Sequence, residues 1–179
     1  MNTKLMDIEQ PCRLRKHLIV NSTVSNPGDG APRNELDLQA CAVVHFSSEH
    51  PDHPIDHLFD ADAGPGASKW LSARRNTPET ILLVFDEPMS ISRCAFEAED
   101  RDFERTQQVC AEYLAGDATG YHRAFIQEFN FSPSGAIYQN ESIAMTLSDV
   151  RRFRLTIRPH KSGHGFATLT SLRLYRCRP

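Results

Sequence analysis

Between residues 152 and 158, apolar and polar side chains alternate, and this pattern constrains the fold more than any other segment. Phe153, Leu155 and Ile157 fall on one side of an extended chain, while arginines and a threonine fall on the other. Alternate side chains of a β-strand lie on opposite faces, so the segment is predicted to be a strand with one buried face. A short polar loop follows, and residues 166–175 resume an apolar pattern. The chain is therefore predicted to end in two strands of an all-β fold.

Strand-like segments separated by turn signals occur along most of the remaining chain. Short apolar or alternating runs predict strands at 42–46, 80–85, 91–98, 107–114, 125–131 and 143–147. Residues 55–59 are predicted to form a single helical turn, and no long amphipathic helix pattern is found. Seven to nine short strands of this kind predict an antiparallel β-sandwich or jelly roll.

The sequence predicts one domain preceded by an extended segment. A chain of 179 residues is long enough for a single domain with a well-formed core. Residues 1–38 include a stretch rich in Pro and Gly and are predicted to be an extended lead-in, whereas 39–179 form the β-sandwich. The lead-in could pack on the body or on a neighbouring subunit, so oligomerisation is left open.

Composition and cysteine usage are typical of a globular protein in a reducing compartment. The chain is 40% hydrophobic and 24% charged, and no apolar run approaches the ~20 residues that span a bilayer. The first ten residues carry charges and lack the apolar core of a secretory signal. Five scattered cysteines predict free thiols rather than a disulfide framework or a zinc site: Cys12, Cys41, Cys94, Cys110 and Cys177. A cytoplasmic location is expected, with secretion of a processed form left open.

Charge is distributed unevenly along the chain. Residues 151–179 contain eight Lys or Arg and no Asp or Glu, while the other residues contain 12 basic and 23 acidic side chains. Such a basic segment can bind phosphate or nucleic acid. The alternative is that these arginines cover outer strand faces and pair with acidic neighbours. The second interpretation is preferred, so nucleic acid is not expected as a partner.

The order of three segments resembles a known family of β-sandwich domains. They are SSEHPDHPIDHLFDADAGPGASKWLS, ETILLVFDEPMSISRCAF and VRRFRLTIRPHKSGHGFATLTSLRLY. The chain resembles the discoidin-like domains, also called coagulation-factor type C domains, of the galactose-binding-like jelly-roll superfamily. The resemblance covers roughly residues 40–176. It implies a jelly roll whose loops at one end bind sugars, phospholipid head groups or other proteins.

Sugar binding requires an aromatic side chain that stacks on the ring, with polar groups around it. Phe103 stands in a charged run, so it is either such a platform or a residue that packs against the rim of the sandwich. Phe166 is a further candidate ring, but the preferred interpretation is that Phe166 begins the core face of the last strand and that Trp70 belongs to the core. The candidate ligand-binding residues in predicted loops are His50, His53, Arg101, Phe103, Arg105, Tyr138, Asn140, His160 and His164.

The resemblance also implies a candidate calcium site, although nothing in the sequence requires a cofactor. Many relatives hold a structural calcium in the turn that corresponds to 60–68, where Asp60, Asp62 and Ser68 could supply oxygen ligands. Relatives usually add a Glu near the position of Ser171, which lacks a carboxylate here. The alternative is that Asp60 is a turn and cap residue.

No sequence motif indicates catalysis. The chain has no Gly-x-Ser-x-Gly elbow, Walker loop or dinucleotide fingerprint, and no motif pairs its carboxylates. It is therefore expected to be a non-catalytic binding module for a carbohydrate or similar small polar ligand. The alternative is a cytoplasmic module that recognises a protein partner.

Overall fold

The computed structural model describes residues 34–161 and 164–177, and within these ranges it confirms the predicted all-β antiparallel sandwich. One short α-helix precedes the strands, and a 3₁₀ helix at Ile55–Leu58 confirms the predicted helical turn. The bounds are α1 Leu38–Cys41, β1 Ala42–Phe46, β2 Trp70–Arg75, β3 Glu79–Glu99, β4 Arg105–Ala115, β5 His122–Phe131, β6 Tyr138–Arg158, β7 Phe166–Leu169 and β8 Ser171–Arg176. None of the helices described is long and apolar enough to cross a membrane.

Two strands of 21 residues each, β3 and β6, organise both layers of the sandwich. They pair with each other in two stretches, 79–84 with 152–157 and 91–99 with 138–147. Strands β1 and β4 flank the first stretch, β5 extends it beyond β4, and β8 flanks the second stretch. The register shifts between the two stretches, and such irregularities let one strand bend from one layer into the other.

The length of these strands corrects two sequence predictions. Residues 80–85 and 91–98 were predicted as separate strands because Asp86, Glu87 and Pro88 form a turn signal, but β3 runs through them. All three residues are exposed at the bend, where the ladder with β6 is interrupted. Proline is tolerated in a strand at such an interruption because no ladder hydrogen bond is lost there. Similarly, 143–147 and 152–158 belong to the single strand β6.

The predicted buried face of the C-terminal region is confirmed, but its last strand is divided. Phe153, Leu155 and Ile157 are at most 1% exposed. The stretch 166–175 breaks at Thr170, so that β7 pairs with β2 while β8 pairs with β3. The apolar pattern continues through this break because residues on both sides of it are buried, which is why the sequence does not reveal the change of sheet.

The core contains the large aromatic side chains of several strands. Trp70 is fully buried and donates its indole N–H to the Ser48 carbonyl at 3.1 Å, which confirms its predicted core position. The ring of Phe96 lies 5.5 Å from that of Phe125 and 5.4 Å from that of Phe129, between centroids. These contacts connect β3 with β5 across the interior.

The chain before α1 adds a further contact at the edge of β8. Leu36 N–H donates to the Leu174 carbonyl at 2.8 Å, and Arg176 N–H donates to the Asn34 carbonyl at 2.7 Å. Leu36 and Leu38 are buried, so the last residues of the predicted lead-in pack on the body. Residues 1–33 lie outside the described part of the chain, and the boundary at 38/39 stays a prediction. The described cysteines are free thiols: Cys41, Cys94, Cys110 and Cys177.

Truncation of Phe153 tests the predicted core face of β6. We expect Phe153→Ala to lower the free energy of unfolding by about 3–5 kcal/mol, because it removes a fully buried ring and leaves a cavity. Urea denaturation measures the loss. Ile126, which is 45% exposed, provides the control, and Ile126→Ala should cost less than about 1 kcal/mol. Equal losses for both variants would contradict the assignment.

Candidate ligand-binding site

A pocket of about 180 Å³ opens where several strands begin or end. The connection between β3 and β4 supplies one wall, and the starts of β2 and β7 supply others. We call it the end pocket, and it is lined by His53, Lys69, Leu71, Glu99, Asp100, Asp102, Phe103, Arg105, Phe166 and Thr168. It combines two aromatic rings with charged and planar polar side chains, as ligand sites usually do.

A buried ion pair lies at the base of the end pocket. The Arg105 Nε lies 2.5 Å from Asp100 Oδ2, and the two residues are 4% and 6% exposed. The Arg105 guanidinium also donates to the Pro159 carbonyl and, at 3.1 Å, to Gln107 Oε1. Burial lowers the pKa of Arg105, and the Asp100 carboxylate opposes that shift. Breaking such a pair is costly because the remaining charge is left buried.

The same carboxylate fixes the shape of the connection between β3 and β4. Asp100 Oδ1 accepts hydrogen bonds from the backbone N–H groups of Asp102 at 3.0 Å and Phe103 at 3.1 Å. An Asp side chain that accepts from the backbone two and three residues later stabilises a turn locally. The Asp100 carboxylate therefore links the buried ion pair to the stretch of backbone that carries Phe103.

A polar network behind the end pocket joins three strands. The Gln107 amide donates to the Thr168 carbonyl at 2.8 Å and accepts from the Thr168 N–H at 3.1 Å. The Thr168 hydroxyl donates to the Trp70 carbonyl at 3.0 Å. All three residues are buried, so these bonds satisfy polar groups that have no access to water. The network attaches the pocket to β4, β7 and β2.

Two residues hold the connection that precedes β7. Asn76 has a φ of 56°, a left-handed conformation that Asn tolerates better than most residues. Its backbone N–H donates to the Gly165 carbonyl and its Oδ1 accepts from the Gly165 N–H, both at 2.8 Å. A Cβ on Gly165 would lie 2.8 Å from Arg105 Cδ, so glycine is required for the close approach. The two hydrogen bonds between Asn76 and Gly165 hold together the segments that carry the neighbouring residues Arg75 and Phe166.

The aromatic part of the end pocket consists of Phe103 and Phe166, both partly exposed. The Arg75 guanidinium carbon lies 5.6 Å from the centroid of Phe103 and 5.2 Å from that of Phe166, which are cation–π distances. Phe103 therefore lines the pocket. The prediction that Phe166 belongs to the core is wrong, because β7 begins at the pocket and its first side chain faces the opening.

His53 is the histidine that lines the end pocket. Its ring centroid lies 5.6 Å from that of His50 and 6.5 Å from that of His57. Burial lowers the pKa of His53, and the positive charge of Lys69 lowers it further, followed by smaller contributions from the other two histidines. These effects favour the neutral form of His53, in which one ring nitrogen donates while the other accepts.

The other predicted ligand residues occupy different places. Arg101 is exposed beside the pocket, where its Nε lies 2.5 Å from Glu99 Oε1, and this hydrogen bond lowers the pKa of Glu99. His164 Nδ1 lies 3.3 Å from the Asn76 amide. His50 lies next to His53, and His160 is partly buried just before the described chain is interrupted.

The predicted loop position of Tyr138 and Asn140 is wrong. Both residues lie on β6, where they pair with Glu99 and Glu97 of β3. Burial and a hydrogen bond to Glu97 raise the pKa of Tyr138 to about 12. The turn at 132–136 ends earlier than expected, and the ladder with β3 extends β6 to Tyr138. The end pocket therefore brings together three of the predicted residues, His53, Phe103 and Arg105.

Sequence reasoning missed two cations at the end pocket. Lys69 lines it, and Arg75 stacks on both of its aromatic rings. Each lies next to a residue whose local structure the sequence indicates, since Lys69 precedes the tryptophan that begins β2 and Arg75 precedes an asparagine typical of a turn. Their shared position depends on the pairing of β2 with β7, which no local pattern reveals.

The turn at 60–68 uses its candidate calcium ligands in its own hydrogen bonds. Asp60 accepts from the Asp62 N–H at 3.0 Å and from the Ser68 hydroxyl at 2.7 Å, and Asp62 accepts from the Ser68 N–H at 2.9 Å. No group of three or more His, Cys, Asp or Glu that could hold a metal ion is found within the described ranges. The carboxylates serve the turn in this arrangement, which favours the alternative that Asp60 is a turn and cap residue, and the calcium site implied by the resemblance stays untested.

A larger cavity of about 320 Å³ lies beside α1, between the segment 35–39 and the residues Leu58 and Leu172. Two charged residues in its lining, Arg173 and Glu35, form an ion pair, with 3.2 Å between Arg173 Nη1 and Glu35 Oε1. We regard the end pocket as the better candidate site because its aromatic and polar groups face one opening.

Comparisons with known proteins identify the fold. No protein family and no curated protein matches the sequence. The structure of the family 32 carbohydrate-binding module of NanJ from C. perfringens, in complex with galactose, matches with a TM-score of 0.59 at 10% identity, covering 80% of this chain and 98% of that chain. The module CpGH89CBM32-5 from Clostridium perfringens, in complex with GalNAc-β-1,3-galactose, matches with a TM-score of 0.55 at 15% identity, covering 79% and 99%.

A third match is a GH29 fucosidase from Ruminococcus gnavus in complex with fucose, with a TM-score of 0.58 at 12% identity. It covers 78% of this chain but only 26% of the fucosidase, so the match concerns one part of that enzyme. Together these structures confirm the discoidin-like, galactose-binding-like jelly-roll fold predicted from the sequence. At these identities the likeness shows the fold alone.

Removal of the buried carboxylate tests its structural role at the end pocket. We expect Asp100→Asn to lower the free energy of unfolding by about 3 kcal/mol, because it leaves the Arg105 charge buried without its counter-ion. The control is Glu112→Gln, which breaks the more exposed pair between Glu112 and Arg154 and should cost less than about 1 kcal/mol. Chemical denaturation measures both, and similar losses would contradict the role assigned to Asp100.

Calcium binding to the turn at 60–68 is tested by thermal unfolding in millimolar calcium and in excess EGTA. A ligand that binds only the folded state raises the melting temperature. We expect the two melting temperatures to agree within about 1 °C, because the oxygens of Asp60 and Asp62 already accept hydrogen bonds inside the turn. A clear increase in calcium, absent from Asp60→Ala, would establish the ion at this turn.

Proposed function

We propose that this protein is a non-catalytic binding module that holds a carbohydrate in the end pocket. The observation that carries the proposal is the pair of partly exposed rings, Phe103 and Phe166, beside planar polar side chains in one cavity. A sugar ring has an apolar face of C–H groups and an edge of hydroxyls, so it needs both kinds of contact. The two carbohydrate-binding modules that share this fold along nearly their whole length were each determined with a sugar, which supports this choice.

Each part of the end pocket has a role in this proposal. The rings of Phe103 and Phe166 stack on the apolar face of the sugar, and Arg75 holds both rings in place. Neutral His53 donates to one hydroxyl or accepts from another, and the exposed Asp102 carboxylate accepts from hydroxyl hydrogens. Arg105 is positioned by Asp100 before any ligand arrives, which reduces the entropic cost of binding.

The carboxylates of the end pocket suit binding better than hydrolysis. Most glycosidases use two carboxyl groups, one as acid and one as base or nucleophile. Asp100 is held by Arg105, and Glu99 accepts from Arg101 and from the Gly66 N–H at 2.7 Å. We therefore propose that the sugar is bound and released without chemical change.

The C-terminal arginines support this ligand class over phosphate or nucleic acid. Arg154 lies 2.8 Å from the Glu112 carboxylate and stacks at 3.8 Å on the Tyr121 ring. Arg173 pairs with Glu35 at 3.2 Å. These side chains have partners within the fold, so they form less of an open basic surface than the sequence alone suggests.

A glycan array followed by titration calorimetry tests the proposed function. We expect the protein to retain at least one glycan, and Phe103→Ala to weaken its binding at least about tenfold because one stacking surface is lost. Tyr121→Ala removes an aromatic ring that stacks on Arg154 outside the end pocket, and it should bind as the wild type does. Retention of no glycan, or undiminished binding by Phe103→Ala, would refute the proposal.

A further inference from the structure

The charges around the end pocket are not evenly balanced. Two of its carboxylates have their charge balanced by an arginine of the same chain: Glu99 pairs with Arg101 and Asp100 pairs with Arg105, each at 2.5 Å. The remaining carboxylate in the lining is that of Asp102, which is exposed to solvent. The cations that remain are Lys69 in the lining and Arg75 over the aromatic rings.

Lys69 lines the end pocket, and its positive charge affects two other lining residues. The pKa of His53 is lowered by burial and then by Lys69, and the pKa of Glu99 is lowered mainly by the Arg101 hydrogen bond and to a smaller extent by Lys69. Lys69, His53 and Glu99 all line the end pocket, so the charge of Lys69 acts on two other lining residues. Within the described residues, Lys69 forms no ion pair at 4.0 Å or less.

Arg75 places a second positive charge beside the aromatic part. Its guanidinium lies over Phe103 and Phe166, and among the described residues it has no carboxylate at ion-pair distance. Stacking satisfies the faces of a guanidinium but leaves its N–H edge free to bind an anion, often through two parallel hydrogen bonds. A ligand that stacks on the rings therefore lies next to this edge.

We propose that the end pocket selects an acidic saccharide, a sugar whose ring carries a carboxylate or a sulfate group. The inference rests on the proposed function and specifies its ligand. The ring stacks on Phe103 and Phe166, and the anionic group binds between the Lys69 ammonium and the Arg75 guanidinium. The Asp102 carboxylate accepts from the remaining hydroxyls, and its charge disfavours a second anionic group on the same ring.

Matched sugars test the inference by titration calorimetry at low ionic strength. The pairs are galactose with galacturonate and glucose with glucuronate, and galactose 6-sulfate is a third anionic ligand whose neutral partner is galactose. We expect the anionic member to bind about tenfold tighter than its neutral partner, since charge-assisted hydrogen bonds exceed neutral ones. The carboxylate and sulfate arms distinguish the two anionic groups.

Variants and salt then identify the source of the preference. In Lys69→Gln and Arg75→Gln the ratio of acidic to neutral affinity should fall severalfold, while Arg152→Gln, an exposed arginine on β6, should keep the wild-type ratio. An increase in NaCl from about 0.05 to about 0.5 M should also reduce the ratio, because salt screens exposed charges.

The possible outcomes separate this inference from the proposed function. Equal or tighter binding of the neutral sugars would overturn the acidic preference and leave the carbohydrate module intact. A preference that survives both Lys69→Gln and Arg75→Gln would overturn the assignment of these two cations. Binding of neither sugar class, at low salt and across the glycan array, would overturn both proposals.

Discussion

The ion pair between Arg105 and Asp100 is the interaction on which the candidate site depends. Two charges removed from water are costly, and the cost is offset only when geometry and further hydrogen bonds are good. Here Asp100 also accepts from the backbone of the β3–β4 connection, and Arg105 also contacts Gln107 and Pro159. The pair thus holds three segments of chain together, and the requirement for glycine at position 165 follows from the space that Arg105 occupies.

Hydrogen bonds between buried polar groups connect the end pocket to the core. Gln107 bonds to Thr168, and Thr168 bonds to the carbonyl of Trp70, whose ring lies in the core. A fully satisfied network of this kind is rigid, since each member restricts the next. The buried network therefore restricts the motion of side chains at this end of the sandwich, and a binding site with preformed geometry requires such restriction.

The sequence predicted the fold well and the site only in part, for different physical reasons. A strand such as 152–158 has a local period of two, so its buried face can be identified from neighbouring residues alone. Asp86, Glu87 and Pro88 are residues that favour a turn between strands as well as a bend within one strand, so the sequence predicts a turn where β3 bends. The pocket joins residues from positions 53 to 168, and the contact of Arg75 with Phe166 arises from the pairing of β2 with β7. Such long-range proximity is set by topology, which no local pattern encodes.

The hydrogen bonds that join Asn34 to Arg176 and Leu36 to Leu174 place the first and last described segments side by side. Adjacent antiparallel strands lie about 5 Å apart, so within the described ranges residues 34–36 and the end of β8 are separated by only that distance. A unit with this geometry can be inserted into a surface loop of a host protein without forcing that loop apart. Insertion of the described sandwich into a host protein would therefore require only a hairpin-like spacing between the two attachment points in the host.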